Sequence, residues 1–111
     1  MLNHRKMHVI QTADNGIVDQ ETIFHFEQKE QVVTAYYSGG KIRQGYLVGQ
    51  MNGDMLKFTC CQLRTSGELD HGKSACVVSE EKQSGKIKLE EKFNMKTEIS
   101  TEIGINIFME I

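Results

Sequence analysis

Along most of this chain apolar and polar residues take turns one by one. The cleanest stretch is "KIKLEEKFNM", where Ile87, Leu89, Phe93 and Met95 fall on one side of an extended backbone and Lys86, Lys88, Glu90, Lys92 and Asn94 on the other. A period of two marks a half-buried strand. The last stretch alternates likewise, with Ile103, Ile105, Ile107, Met109 and Ile111 opposite Gly104, Asn106, Phe108 and Glu110, and its β-branched content favours strand over helix. No segment carries a convincing helical period. Turn signals recur at Asn15-Gly16, Gly39-Gly40, Asn52-Gly53, Ser66-Gly67 and Ser84-Gly85, where glycine can supply the positive φ of a tight hairpin. They divide the chain into eight predicted strands at 7–12, 21–27, 31–37, 41–51, 55–65, 73–80, 86–95 and 101–111.

Eight short strands with short connections make an antiparallel up-and-down meander. Left flat, such a sheet would wet its greasy face and leave both edges open; curling it into a closed or nearly closed barrel, lipocalin- or streptavidin-like in outline, removes both problems at once. The expected architecture is therefore one all-β barrel domain over 1–111, with 1–6 frayed. A strongly bent open sheet that dimerises is the alternative. If Gly39-Gly40 and Asn52-Gly53 are two-residue loops, Tyr37 faces Ile42 and Gln50 faces Met55. That register turns Val32, Thr34, Tyr36, Arg43, Gly45, Leu47, Gly49, Leu56, Phe58, Cys60 and Gln62 inward and leaves Ala35, Tyr37, Gln44, Tyr46, Lys57, Thr59 and Cys61 outside. Gly45 and Gly49 fit the inside of a small barrel, where strands bend and large neighbours need room. The register of the sixth strand stays open, because a one-residue slip exchanges Cys76 and Val78 with Ala75 and Val77.

Composition narrows the function classes. The 111 residues suit one domain, and 13 basic and 15 acidic residues, mixed along the chain for a net charge of −2, offer no footprint for nucleic acid. No run is long and apolar enough to cross a membrane as a helix, and the start has no apolar block or cleavage site, so the chain is read as soluble and cytoplasmic. The three cysteines, Cys60, Cys61 and Cys76, make an odd count without an export signal, which argues for reduced thiols.

Glu91 is the most informative residue, because it takes the apolar phase between Leu89 and Phe93. A buried carboxylate is costly unless paired or protonated, and Arg43, Lys73 and His71 are candidate partners. Glu91 then either fixes the barrel as a salt-bridged group, anchors a ligand, or acts as a general acid or base. No metal set emerges: His4 and His8 have helical spacing where no helix is expected, His25 alternates outward, and Asp70-His71-Gly72 follows a turn with no nucleophile near it. Cys60-Cys61 lacks the CxxC redox spacing, and Ser38 lacks a GxSxG elbow. "RQGYLVG" misses the coenzyme A loop in both spacing and setting, since position 46 is tyrosine and the segment reads as mid-strand.

The runs "ETIFHF", "YYSGGKIRQGYLVG", "SGEL", "GKIKLEEKF" and the terminal "MEI", from about Asn15 onward, resemble a family of small uncharacterised bacterial proteins often labelled N-acetylglutamate synthase. The resemblance implies an acetyltransferase name, and with it an acetyl-coenzyme A site on a mixed α/β fold. The residues supply neither the phosphate loop nor the helix, so the label reads as an inherited error. The reading that results is a barrel lined by Leu47, Leu56, Phe58, Ile87, Leu89, Phe93 and parts of the last strand. Barrels of this size either fill themselves or hold one small ligand. The first expectation is a binding module for a small, mostly apolar ligand oriented by Glu91, Gln62, Arg43 and Tyr36, without cofactor or metal. The alternatives are a packed barrel that works as a protein-interaction or homodimer module through Tyr37, Tyr46 and Phe108, and an enzyme that uses Glu91 as general acid or base.

Overall fold

The computed structural model describes residues 1–111. Eight strands follow one another: β1 Arg5–Thr12, β2 Ile23–Lys29, β3 Val32–Gly39, β4 Ile42–Asn52, β5 Met55–Arg64, β6 Leu69–Glu80, β7 Ile87–Lys96 and β8 Thr101–Glu110. Each pairs antiparallel with the next, and β8 returns to β1 through Met7↔Glu110, Val9↔Phe108 and Thr12↔Asn106, so the barrel is closed and has no free edge. The seam is fastened where Arg5 donates to Glu110 Oε2 (2.8 Å) while the Ile87 N–H donates to Glu110 Oε1 (3.0 Å). The amino-terminal residues, expected to fray, are held: Leu2 is fully buried and its N–H donates to Gln28 Oε1.

Alternation sets the interior. Leu56, Phe58, Cys60 and Gln62 of β5 and Ile87, Leu89, Glu91, Phe93 and Met95 of β7 point inward as the pattern requires. β6 settles with Cys76 and Val78 inside, and it begins four residues earlier than predicted, which carries Asp70 into the wall. Leu2, Met7, Phe26, Val33, Leu56 and Ile87 are buried to 2% or less and plug the end where β1 starts. The opposite end, where β1 finishes, is roofed by loop 13–22, whose Val18 and half-buried Ile17 dip onto the core.

Two strands turn the other way round. The β3–β4 pairing is Tyr37↔Gly45 and Ala35↔Leu47, three residues off the expected register, because Gly39 and Gly40 both take positive φ and the ladder slips between Tyr37 and Gly39. An odd slip exchanges faces. Val33, Ala35 and Tyr37 are therefore inside, while Tyr36 is 51% exposed and Val32 and Thr34 also point out. Arg43 is exposed as well, since a bulge between Ile42 and Gln44 breaks the alternation there. The β4–β5 hairpin slips too, to Asn52↔Met55, but by an even step that leaves every face in place. In β8 the isoleucine row is outside, with Ile103 69% and Ile105 54% exposed, and Asn106 and Phe108 are the buried set.

Gly45 and Gly49 face inward as expected, and each marks a close approach. A Cβ on Gly45 would lie 2.3 Å from the Tyr37 ring, and one on Gly49 would lie 2.3 Å from the Lys57 carbonyl oxygen.

Candidate functional site

Beneath loop 13–22 the side chains stop short of filling the barrel. The remaining cavity is about 30 Å³. Its floor is aromatic: Phe24 stacks on Tyr37 with centroids 4.2 Å apart, and Phe108 meets Phe24 edge-on at 4.8 Å. Phe58, Phe93 and Met95 continue the apolar wall, and Ile17 and Val18 form the roof. By volume it admits roughly two waters. A ligand of ordinary size, which wants roughly 300 Å³ or more, would have to lift the roof. Directly above, Asn15, Ile17, Arg64, Glu68, Ile99 and Glu102 border an open depression of about 150 Å³ at the mouth. Ile17 belongs to both spaces and is the partition between them.

Two polar chains reach the cavity from opposite walls. On one side the Thr12 hydroxyl donates to Asn106 Oδ1 (2.6 Å), and Asn106 Nδ2 donates to Glu91 Oε1 (2.8 Å). The pairing Glu91↔Asn106 across β7 and β8 places the two side chains together on the inner face. Asn106 is the one hydrogen-bond partner of Glu91. The Ser74 hydroxyl lies near enough to favour the ionised carboxyl but out of bonding geometry, and it is the sole buried side-chain polar atom with no hydrogen bond. Burial outweighs both neighbours and raises the Glu91 carboxyl above its ordinary range. The expected cations are absent from it: Arg43, Lys73 and His71 all point out of the barrel.

On the other side the Tyr37 hydroxyl donates to Gln62 Oε1 (2.8 Å), and Gln62 Nε2 donates to Asp70 Oδ2 (3.0 Å). Arg64 closes the chain with two parallel bonds to Asp70, Nε to Oδ2 and Nη2 to Oδ1, both 2.9 Å. The Asp70 side chain is wholly buried and that of Arg64 is 21% exposed, so the pair seals the wall at the mouth. The buried phenol of Tyr37 is raised in pKa, first by desolvation and then by the neighbouring Cys60, and so keeps the proton it donates to Gln62. Burial likewise pushes the Cys60 thiol up to about 12 and raises that of Cys76, so neither is a nucleophile at neutral pH.

Of the four residues expected to orient a ligand, Glu91 and Gln62 stand at the cavity and Tyr36 and Arg43 stand outside it. Tyr36 instead stacks on His25 (centroids 4.6 Å, planes within 9°) across the β2–β3 pair, and its other cross-strand partner is Tyr46. Of the aromatic rings expected on the surface only Tyr46 is there, 57% exposed; Tyr37 and Phe108 are buried, for the face exchanges already described. The residues that complete the site but escaped the sequence reading are Tyr37, Asp70, Arg64, Asn106 and the roof pair Ile17 and Val18. Asp70 had a legible signal, since it keeps the phase of Cys76 and Val78 back along β6.

Comparisons with known proteins bear on this geometry through one match. No curated protein and no solved structure matches the chain. The sequence model of the family described as "Avidin-like protein" matches residues 1–111. A closed antiparallel barrel of eight strands with polar groups directed at an internal cavity accords with that match, and the chain belongs to the avidin-like family, a family of small-ligand-binding β-barrels.

Proposed function

We propose that this barrel holds a small, mostly apolar ligand in the space beneath loop 13–22, with Glu91, Asn106, Gln62 and Tyr37 as its orienting groups. One observation carries the reading: two hydrogen-bonded chains from opposite walls end at the same aromatic cavity. Such polar groups are expensive in an interior that serves packing alone. Since the cavity itself is about 30 Å³, the ligand takes the mouth depression as well, and Ile17 swings away as it enters. The experiment pairs native mass spectrometry of protein purified from its own host with benzyl alcohol titration of the wild type and Ile17→Ala by two-dimensional NMR. A retained small molecule, or shifts at Phe24, Phe93 and Phe108 that strengthen in the variant, supports the reading. A bare chain mass together with no shift in either protein rejects it.

Binding is favoured over catalysis because Glu91 has the Asn106 amide and the Ser74 hydroxyl beside it but no second base and no cation with which to share a proton-transfer task. The acetyltransferase label has no part in this reading, since a coenzyme A pyrophosphate is held at a helix N-terminus and every element here is a strand. No helix is long and apolar enough to cross a membrane, and we place the protein in the cytoplasm on its reduced, odd set of thiols.

A homodimer is the second reading, and a specific surface favours it. Val32, Tyr36, Tyr46 and Val48 are each more than half exposed and lie together on the outer face of β3 and β4, joined by the pairings Tyr36↔Tyr46 and Thr34↔Val48. Sedimentation of the wild type against Tyr46→Glu tests it: a wild-type dimer that the variant splits supports self-association, and a monomeric wild type at high concentration ends it.

A further inference from the structure

Glu91 is 4% exposed and lines the cavity, yet no cationic side chain meets it. The most enclosed of the other carboxylates have cationic partners: Asp70 has Arg64, and Glu110 has Arg5. A glutamate placed in an aromatic lining with one amide for company lowers stability unless something else uses it. Beside it the hydroxyl of Ser74, a residue 6% exposed, lies close enough to favour the ionised carboxyl without a well-aligned hydrogen bond. The rings of Phe24, Phe58, Phe93 and Phe108 complete the lining. A carboxylate and π faces are what an ammonium group seeks when it leaves water.

The mouth carries the same sign. Arg64 is the one cation that borders the depression, and it is already engaged by Asp70 and Glu68. Glu68 and Glu102 line the depression, and Glu98 is beside it, bonded to the Leu69 N–H. Lys41, Arg43 and Lys96 are on the same end of the barrel but do not border the opening. An arriving carboxylate would meet excess negative charge at the mouth, whereas a cation is drawn toward it.

We propose that the ligand is a small organic cation, a protonated amine on an apolar body, whose ammonium pairs with Glu91 beside Ser74 while the body lies against the aromatic floor. The proposal rests on the interior being a ligand site at all. Burial raises the Glu91 carboxyl above its ordinary range, so the empty cavity favours its acid form and a bound cation favours the carboxylate. On binding, its O–H bond breaks, the proton passes to solvent, and an N–H···O⁻ contact with the ammonium replaces it, so uptake of the cation releases up to one proton.

Calorimetric titration with benzylamine, benzyl alcohol and benzoate, three probes that share one ring and differ in charge, tests this on the full chain and on Glu91→Gln. The variant keeps the shape and the Asn106 contact, and circular dichroism verifies its fold. Benzylamine should bind at least tenfold tighter than benzyl alcohol, benzoate should not bind, and heats measured in two buffers should show proton release. Glu91→Gln should lose the tenfold preference for the amine over the alcohol. Benzyl alcohol or benzoate binding as well as the amine, or an unchanged amine affinity in Glu91→Gln, overturns the cation assignment and leaves the ligand site standing. If none of the three binds, the site itself falls and the assignment falls with it.

Discussion

Removing the charge of Glu91 while keeping its volume should change how stability depends on pH more than stability itself. The carboxyl is buried against phenyl rings with Asn106 as its one hydrogen-bond partner, and burial raises its folded-state pKa above the ordinary 4.5. Below 4.5 it is protonated whether the chain is folded or not, so its contribution is fully present there and flat. As pH rises past that value the unfolded chain releases the proton and the folded chain keeps it. Stability then falls by about 1.4 kcal/mol per pH unit, the worth of one proton, until the folded carboxyl itself ionises. Glu91→Gln cannot do this. At low pH acid and amide are near-isosteres, each with an acceptor oxygen for Asn106 and a donor on its other arm, and the two proteins should agree within about 0.5 kcal/mol. Above it the variant should pull ahead by about 1.4 kcal/mol for each unit of the window, or roughly 6 °C in midpoint for a domain of this size. Thermal unfolding of both proteins from acid to neutral pH, plotted as a difference, cancels every other titrating group. Parallel curves throughout would refute the claim that this carboxyl is buried without a charge partner.

Gly45→Ala puts a methyl group where the Tyr37 ring already lies, and should cost about 1–3 kcal/mol in urea unfolding, as overpacked sites do. Tyr37→Phe leaves the buried Gln62 carbonyl without its donor; a loss of about 1–3 kcal/mol is expected from chemical denaturation, with the midpoint shifted and the slope unchanged. Of the three thiols, exposed Cys61 alone should react with an aromatic disulfide reagent at neutral pH, because Cys60 and Cys76 are buried and Cys60 is pushed up to about 12. Guanidinium should release the other two.

The barrel was legible because its causes are local. Glycine turns and period-two alternation sit in the chain itself, and β5 and β7 read correctly down to the inward acid. What failed was parity. Whether Tyr36 or Tyr37 faces in depends on how many residues the Gly39-Gly40 turn consumes, a quantity that positive φ at both glycines alters without leaving a mark on the alternation. In β8 hydrophobicity was misleading, since the outer row is richer in isoleucine than the inner one. Connection length held the answer there: residues 97–100 join Lys96 to Thr101, which sets Asn106 opposite Glu91 and Phe108 opposite Leu89. Arg64 and Ile17 were out of reach because their roles depend on the far wall, at Asp70, and on a loop that folds over the opening.

The pairing of β8 with β1 also fixes an order of events. Every other ladder joins neighbours along the chain, whereas the partners Met7 and Glu110 are almost a full chain length apart. Bringing them together loses roughly 3 kcal/mol more chain entropy than a tight hairpin does, so this ladder should zip last and come apart first. Weakening Arg5 or Glu110 should then hasten unfolding and leave the refolding rate nearly unchanged in stopped-flow experiments. Until that zipper engages, the molecule is a curled sheet with two sticky rims, and during that interval it is most exposed to pairing with another chain instead of with itself.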